Sequence, residues 1–315
     1  MTTATLPPPP QAAPVLDPAQ LQYAYAVCRG IARGAAKNFY YSFLALPKPK
    51  RNGICAVYAF MRHADDIVDD GDLPREKRES RLAQWLQDAR DVCNGKATDD
   101  PVLYALADAQ HRFQIPLTLF EQLASGTAMD LEPEKYSRFA TFQDLYNYCY
   151  YVASVVGLAV IRIFRFQDPK AEKLAEQLGI AFQLTNIIRD VKEDAERNRL
   201  YIPHEDLERF GLGRISDSDL TAMPFRPEEW KAVLEFQAQR AEQYYQSARE
   251  LLSLVSPDSQ PALWVLVTIY RNLLRKIESR GFDVFTERVR LTFWEKSGVL
   301  LRGWVASITG KIPPL

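Results

Sequence analysis

The chain has no CxxC pair: its four cysteines, Cys28, Cys55, Cys93 and Cys149, are scattered over 315 residues. That spacing suggests neither a zinc site nor a disulfide framework, and it fits a reducing, cytoplasmic compartment. An excess of positive charge is also missing. The 39 Lys and Arg nearly balance 40 Asp and Glu, for a formal net charge of -1. No basic stripe stands out, which argues against a nucleic-acid partner. No window reaches the ~18 uninterrupted apolar residues of a spanning helix. No GxGxxG fingerprint, no run of strand period, no repeat of fixed length and no Gly/Ser or Pro-rich linker interrupts the middle of the chain. The opening MTTATLPPPPQAAP has no apolar core of signal-peptide type. It reads as a Pro/Ala-rich tail over residues 1–17, expected to be disordered.

What is present is apolar sequence of helical period. Hydrophobic residues make up 47% of the chain, ample for a substantial core. Asp17-Pro18 looks like an N-cap followed by Pro at N1, opening a helix over 18–36. PKPKRN at 47–52 reads as a turn, with a helix from Arg51 through Asp70 that GDLP ends. Further helices are expected over 75–94, 100–113, 116–130, 141–166, 169–195, 227–255, 259–280 and 287–309. The expected architecture is one all-α domain over 18–309 with a short tail, 310–315.

Two acidic clusters carry the chemistry. The stretch RHADDIVDD, Arg62 to Asp70, puts four aspartates within six residues of apolar surroundings. Residues four apart share a helix face, so Asp65 pairs with Asp69, and Asp66 with Asp70. Arg62 sits one turn earlier. In QLTNIIRDVKEDAERNR, Asn186, Asp190 and Asp194 lie at i, i+4 and i+8, with Gln183 a step before and Arg189 beside them. That helix passes from core-like to acidic without ending, as a helix does when its acidic end faces an enclosed cavity. A single DxxxD is ordinarily a solvated helix face. Two such clusters, each with an arginine and each in apolar sequence, point instead to a shared cavity. Oxygen-only ligands suit Mg²⁺. The natural bridging group is a diphosphate, with Arg62 and Arg189 binding phosphate oxygens.

YAFMRHADDIVDD and QLTNIIRDVKEDAERNRLYIPHEDLERFG resemble the two signature blocks of the squalene/phytoene synthase family. KNFYYSFLALPK at 37–48 and YCYYVASVVG at 148–157 resemble two further blocks, and the likeness runs over residues 20 to 296. The resemblance implies a single-domain class I terpenoid synthase-like helical bundle around a central cavity. It implies that Mg²⁺, three ions per site, assists the joining of two prenyl diphosphates head to head. Asp65 and Asp69 would bind metal and the first diphosphate. Asn186, Asp190 and Asp194 would hold the other metals, and Arg62 and Arg189 would contact diphosphates. Tyr58 and Tyr148 match family tyrosines near the site, and Lys37 and Tyr270 match diphosphate-side positions. Two before Lys37, some members carry histidine where this chain has Ala35. Near the C-terminus a basic residue is expected to reach the diphosphate, with Arg288 and Lys296 as candidates.

Within the family the sequence resembles bacterial presqualene diphosphate synthases of hopanoid pathways. This favours a C15 substrate, farnesyl diphosphate, and a squalene-type C30 product. Phytoene synthase, using C20 geranylgeranyl diphosphate, is the alternative, and a non-catalytic helical scaffold is an alternative of another class. The lack of GxGxxG does not exclude NADPH, because the family's nicotinamide use lacks that motif; no reduction is expected.

Phe39, Tyr40, Tyr41 and Phe43 read as channel lining or as ordinary core, with Phe43 the first candidate for lining. Small residues from Val152 to Val160 either leave room for a hydrocarbon chain or let helices approach. Tyr201 is expected to reach into the cavity from the LYIPHEDL loop. His63, His111 and His204 are not expected to be catalytic, and the cysteines are expected to behave as small apolar residues. The segment KSGVLLRGWVASITGKIPPL is either a final core helix or a foot touching a bilayer, which would make the protein peripheral at the inner membrane surface.

Overall fold

The computed structural model describes residues 17–35, 42–132, 138–213 and 227–315. Lys37, Phe39, Tyr40, Tyr41 and the tail over 1–16 lie outside the described residues. The named helices are α1 (Pro18–Ala35), α2 (Lys48–Val68), α3 (Arg75–Cys93), α4 (Pro101–Phe113), α5 (Leu117–Ala128), α6 (Phe142–Phe164), α7 (Lys170–Glu196), α8 (His204–Arg209), α9 (Pro227–Tyr245), α10 (Ser247–Leu254), α11 (Gln260–Ser279) and α12 (Phe293–Thr309). Among the described residues no strand occurs, only two isolated bridge pairs.

Local chemistry sets the helix ends. Asp17 accepts from the backbone N–H of Ala19 and Gln20, as its place before Pro18 predicts. Asp100 does the same for Val102 and Leu103. Thr141 with Asp144 and Thr292 with Glu295 form capping boxes at the starts of α6 and α12. The second box starts the last helix at Phe293, not near 287 as the sequence period predicts. The predicted turn PKPKRN is largely the first turn of α2. Pro49 is tolerated there because the first-turn N–H groups have no intrahelical partner. Residues 227–255 form two helices, with Gln246 between them.

The core runs around α7, which packs on α6, α9, α10 and α11. A second layer of α1, α2 and α4 packs together, flanked by α3 and α5. Helix α6 is long and apolar enough to cross a membrane by length and composition. Its fully buried Leu145, Val155, Ile163 and Phe164 lie in the core. It is interrupted at Tyr150–Ser154 by one π-helical turn. A methyl group on Gly179 of α7 would sit 2.6 Å from Ser154 Cα, so this position needs glycine for the two helices to touch. Ser154 Oγ then donates to Glu176 O at 2.7 Å.

Lys50 is an unexpected fastener. Its buried ammonium donates to Phe164 O at 3.0 Å, Ser256 Oγ and Asp258 Oδ1 at 2.6 Å, and Ser259 Oγ at 2.9 Å. One cation thus ties α2 to the C-terminus of α6 and to the turn before α11, where the helix dipole favours positive charge. The four cysteines are free thiols. Burial pushes Cys28 and Cys93 up to about 12 and Cys55 to about 11, as inert apolar side chains.

Candidate active site

Three helices end together, and each ends in aspartate. Asp65 and Asp69 close α2, Asp130 follows α5 in the short 3₁₀ turn Met129–Leu131, and Asp190 and Asp194 lie in the last two turns of α7. Carboxylates at helix C-termini oppose the dipole, and here they also oppose one another. Thr127 Oγ1 donates to Asp65 Oδ1 at 3.3 Å. Burial pushes Asp65 up to about 6, and Asp69 and Asp130 add to the shift against Thr127 and Arg62. Burial, then the Asp190 charge, pushes Asp194 up to about 7. Asp130 is raised too, by burial first and then by Asp69, against Arg199. Asp130 and Arg199 are therefore the link between the two predicted clusters: Arg199 acts on Asp130 and on Asp194.

The arginines divide unequally. Arg189 grips Asp190 with two hydrogen bonds, one from Nε to Oδ1 at 2.7 Å. Arg288 reaches the same carboxylate from beyond α11, Nη2 to Oδ1 at 2.9 Å, and also Glu193 at 3.0 Å. Of the two C-terminal candidates, Arg288 thus joins the aspartates. Lys296 has Arg290 and Glu295 as its electrostatic neighbours. Arg62 is paired with the exposed Asp66. Asp66 and Asp70 face away, into an outer groove with Arg81, Trp85 and Asp88. His63 lies in that groove with its ring 4.1 Å from Trp85.

Above the aspartates sits an aromatic wall. Tyr148 stacks on Tyr201 with ring centroids 5.2 Å apart, and Phe139 packs on both. Burial raises the Tyr148 hydroxyl well above its ordinary value, with Tyr201 and Asp130 adding to it. Tyr201 therefore does reach in, close to Arg199 and Asp194. Tyr58 is half-buried beside Arg62 and Asp65.

Beyond the aspartates an apolar cavity runs between α6 and α7, closed by α10 and α11. Val152, Gln183, Asn186 and Tyr270 all line it. The two helices are antiparallel, so these residues mark the end nearer the aspartates of α7, and Val160, Ile161 and Phe164 mark the far end. From Val152 to Phe164 the wall is about 18 Å long at ~1.5 Å per residue. Gly157 both lines the cavity and lies against the Ala175 backbone, so the small residues serve both predicted uses. Phe43 is buried in the core and is not one of the lining residues, because the 3₁₀ turn Phe43–Ala45 packs on α11 and α12.

The donors fit a hard divalent cation. Asn186 Oδ1, one turn before Asp190, is buried and accepts no hydrogen bond from the described residues, a state a native structure rarely leaves unexplained. Nearby carboxyls are held above their normal range by burial first and then by one another, and a bound cation would relieve both. Among the described residues no three His, Cys, Asp or Glu side chains form a preformed metal cage.

Known proteins resemble this chain in sequence and fold. The chain is 36% identical over 292 residues to 15-cis-phytoene synthase of Synechococcus elongatus, covering 88% of this chain and 91% of that one. It is 34% identical over 290 residues to phytoene synthase of Mycobacterium tuberculosis, covering 92% and 93%. A crystal structure of a dehydrosqualene synthase with ligand superposes with a TM-score of 0.77 at 31% identity, covering 90% of this chain and 96% of that one. Residues 32–295 match the sequence profile of squalene/phytoene synthase, and on these grounds the chain belongs to the squalene/phytoene synthase family of prenyl-transferring enzymes.

Proposed function

We propose that this protein condenses two geranylgeranyl diphosphates head to head to a C40 product of phytoene type, releasing diphosphate with Mg²⁺ as cofactor and without NADPH. The observation that carries the reading is the nearness of two environments: an apolar cavity lined at one end by Asn186, one turn before Asp190, and three helix ends that carry aspartates. Asp65, Asp69, Asn186, Asp190 and Asp194 would hold the metal. Bound Mg²⁺ would supply Lewis-acid stabilisation of the departing diphosphate. Arg189, Arg199 and Arg288 supply fixed positive charge at the same place, and Arg62 does so when it leaves Asp66. The apolar walls exclude water from an allylic cation, and the Phe182 and Tyr270 rings, stacked with centroids 4.4 Å apart, offer it π-faces.

Substrate length follows the relatives. Those at 34–36% identity over nine-tenths of the chain are named phytoene synthases, so the C20 reading is better supported than the C15 reading drawn from the sequence. The dehydrosqualene synthase likeness keeps farnesyl diphosphate as the second reading. The cavity, about 170 Å³, is smaller than a typical ligand pocket of ~300–1,000 Å³. Lining side chains must therefore move as two hydrocarbon tails enter.

Purified protein with Mg²⁺ would be given each diphosphate separately and both together, with and without NADPH, and the extracts analysed by mass. A C40 hydrocarbon from geranylgeranyl diphosphate, unchanged by NADPH, is expected. A predominant C30 product would overturn the length assignment alone. No product from either substrate would overturn the enzymatic reading.

A further inference from the structure

Helix α12 shows two opposed faces. Val299, Gly303 and Ala306 are buried against the body of the protein. A Cβ on Gly303 would run into Val265 of α11, so the helix is seated closely there. Trp264 Nε1 of α11 also donates to Pro314 O at 3.3 Å, which holds the chain beyond α12. On the other side six large apolar residues are exposed: Phe293, Trp294, Leu301, Trp304, Val305 and Ile308. At ~100° per residue they fall within about 120° of one another, directly opposite the buried face. Leu44, in the 3₁₀ turn packed beside α12, is exposed as well.

We infer that this face docks the enzyme on an anionic bilayer surface. Six exposed apolar side chains in one stripe exceed the scattered exposure of ordinary surfaces. The charge around the stripe selects the partner. From Arg290 to Leu315 there are four basic side chains, Arg290, Lys296, Arg302 and Lys311, against one acid, Glu295, in a chain whose overall charge is -1. Glu295 is itself engaged by Lys276 at 2.7 Å. Projected on the helix, Arg302 and Lys296 flank the stripe on either side. An apolar stripe with tryptophans and basic flanks is the composition of a helix lying in a lipid interface. Position agrees: Val265 of α11 carries α12, while the next residue, Leu266, lines the hydrocarbon cavity. The choice of a bilayer over a protein partner draws on the proposed function, in which substrate and product are lipids.

The test uses the full chain without substrate. Binding to phosphatidylcholine vesicles, with and without phosphatidylglycerol, would be followed by co-sedimentation and by tryptophan quenching from brominated lipid. Of five tryptophans, Trp85, Trp230 and Trp264 are buried, whereas Trp294 is 81% and Trp304 57% exposed. Quenching therefore reports α12. Wild type is expected to bind vesicles containing phosphatidylglycerol. The triple variant Trp294→Ser/Trp304→Ser/Ile308→Ser is expected to lose about tenfold or more of that binding while keeping its melting temperature. Arg302→Glu is expected to weaken binding to anionic vesicles only. Failure of the wild type to bind, or equal binding by the triple variant, overturns the inference. So does a wild-type dimer that the triple variant reduces to monomer without any vesicle binding, which would make a second copy the occupant. Vesicle binding without product formation would instead count against the proposed function alone.

Discussion

The Asp65→Asn substitution should make the metal-free protein more stable and the enzyme inactive. Burial and the facing Asp69 and Asp130 raise the Asp65 carboxyl from 3.8 to about 6. A raised acid means that the ionised form is disfavoured in the folded state. The resulting penalty is absent below about pH 4, builds as pH rises toward 6, and is fully present above about pH 7. Two pKa units at ~1.4 kcal/mol each set an upper bound of about 3 kcal/mol. Asparagine is isosteric, removes the charge and can still accept from Thr127. In EDTA at pH 8 the variant should gain about 2 kcal/mol, a rise of a few degrees in Tm. The gain should vanish at pH 4, and Mg²⁺ should raise the wild-type Tm at pH 8 more than the variant's. Thermal melts across pH, with and without metal, would read this. A variant no more stable than wild type at pH 8, or a gain of the same size at every pH, would refute the reasoning.

Other consequences are equally specific. Lys50→Met removes the donor shared by Phe164 O, Ser259 and Asp258, and denaturant melts should show a loss of about 2–4 kcal/mol. Gly179→Ala forces a methyl group against Ser154 and should cost about 1–3 kcal/mol by the same measurement. Arg288→Gln frees Asp190 from one of its two guanidinium partners; kcat/KM should fall by about tenfold or more, while the melting temperature changes little. Val160→Phe fills the end of the cavity away from Asn186 and should shift the product ratio from C40 toward C30 in a mixed-substrate assay.

The legible parts of the site were those written at helical spacing. Asp65 with Asp69, and Asn186 with Asp190 and Asp194, announce a shared face because residues four apart align whatever surrounds them. Gln183 came through the same regularity, whereas Tyr270 came from the family resemblance and Val152 from a run of small residues. Asp130 and Arg199 did not, because each is a single polar residue at the end of an element, and only the packing of α5 and α7 on α6 brings them together. The one signal for Asp130 was an acid just past the end of a largely apolar helix that already carries Glu121, which is weak alone. The π turn of α6 adds one residue to a turn and leaves the apolar pattern intact. Arg62 shows the opposite limit: spacing allowed it Asp65 or Asp66, and in this structure the exposed Asp66 holds it.

Diphosphate release from geranylgeranyl diphosphate, titrated with Mg²⁺ in wild type, Asp65→Asn and Asp190→Asn, tests the two-cluster account most directly. The account requires release that saturates with Mg²⁺ in wild type and falls by about 10²-fold or more in each variant, although the two aspartates lie on different helices. Release independent of Mg²⁺, or a variant within a few fold of wild type, would contradict it.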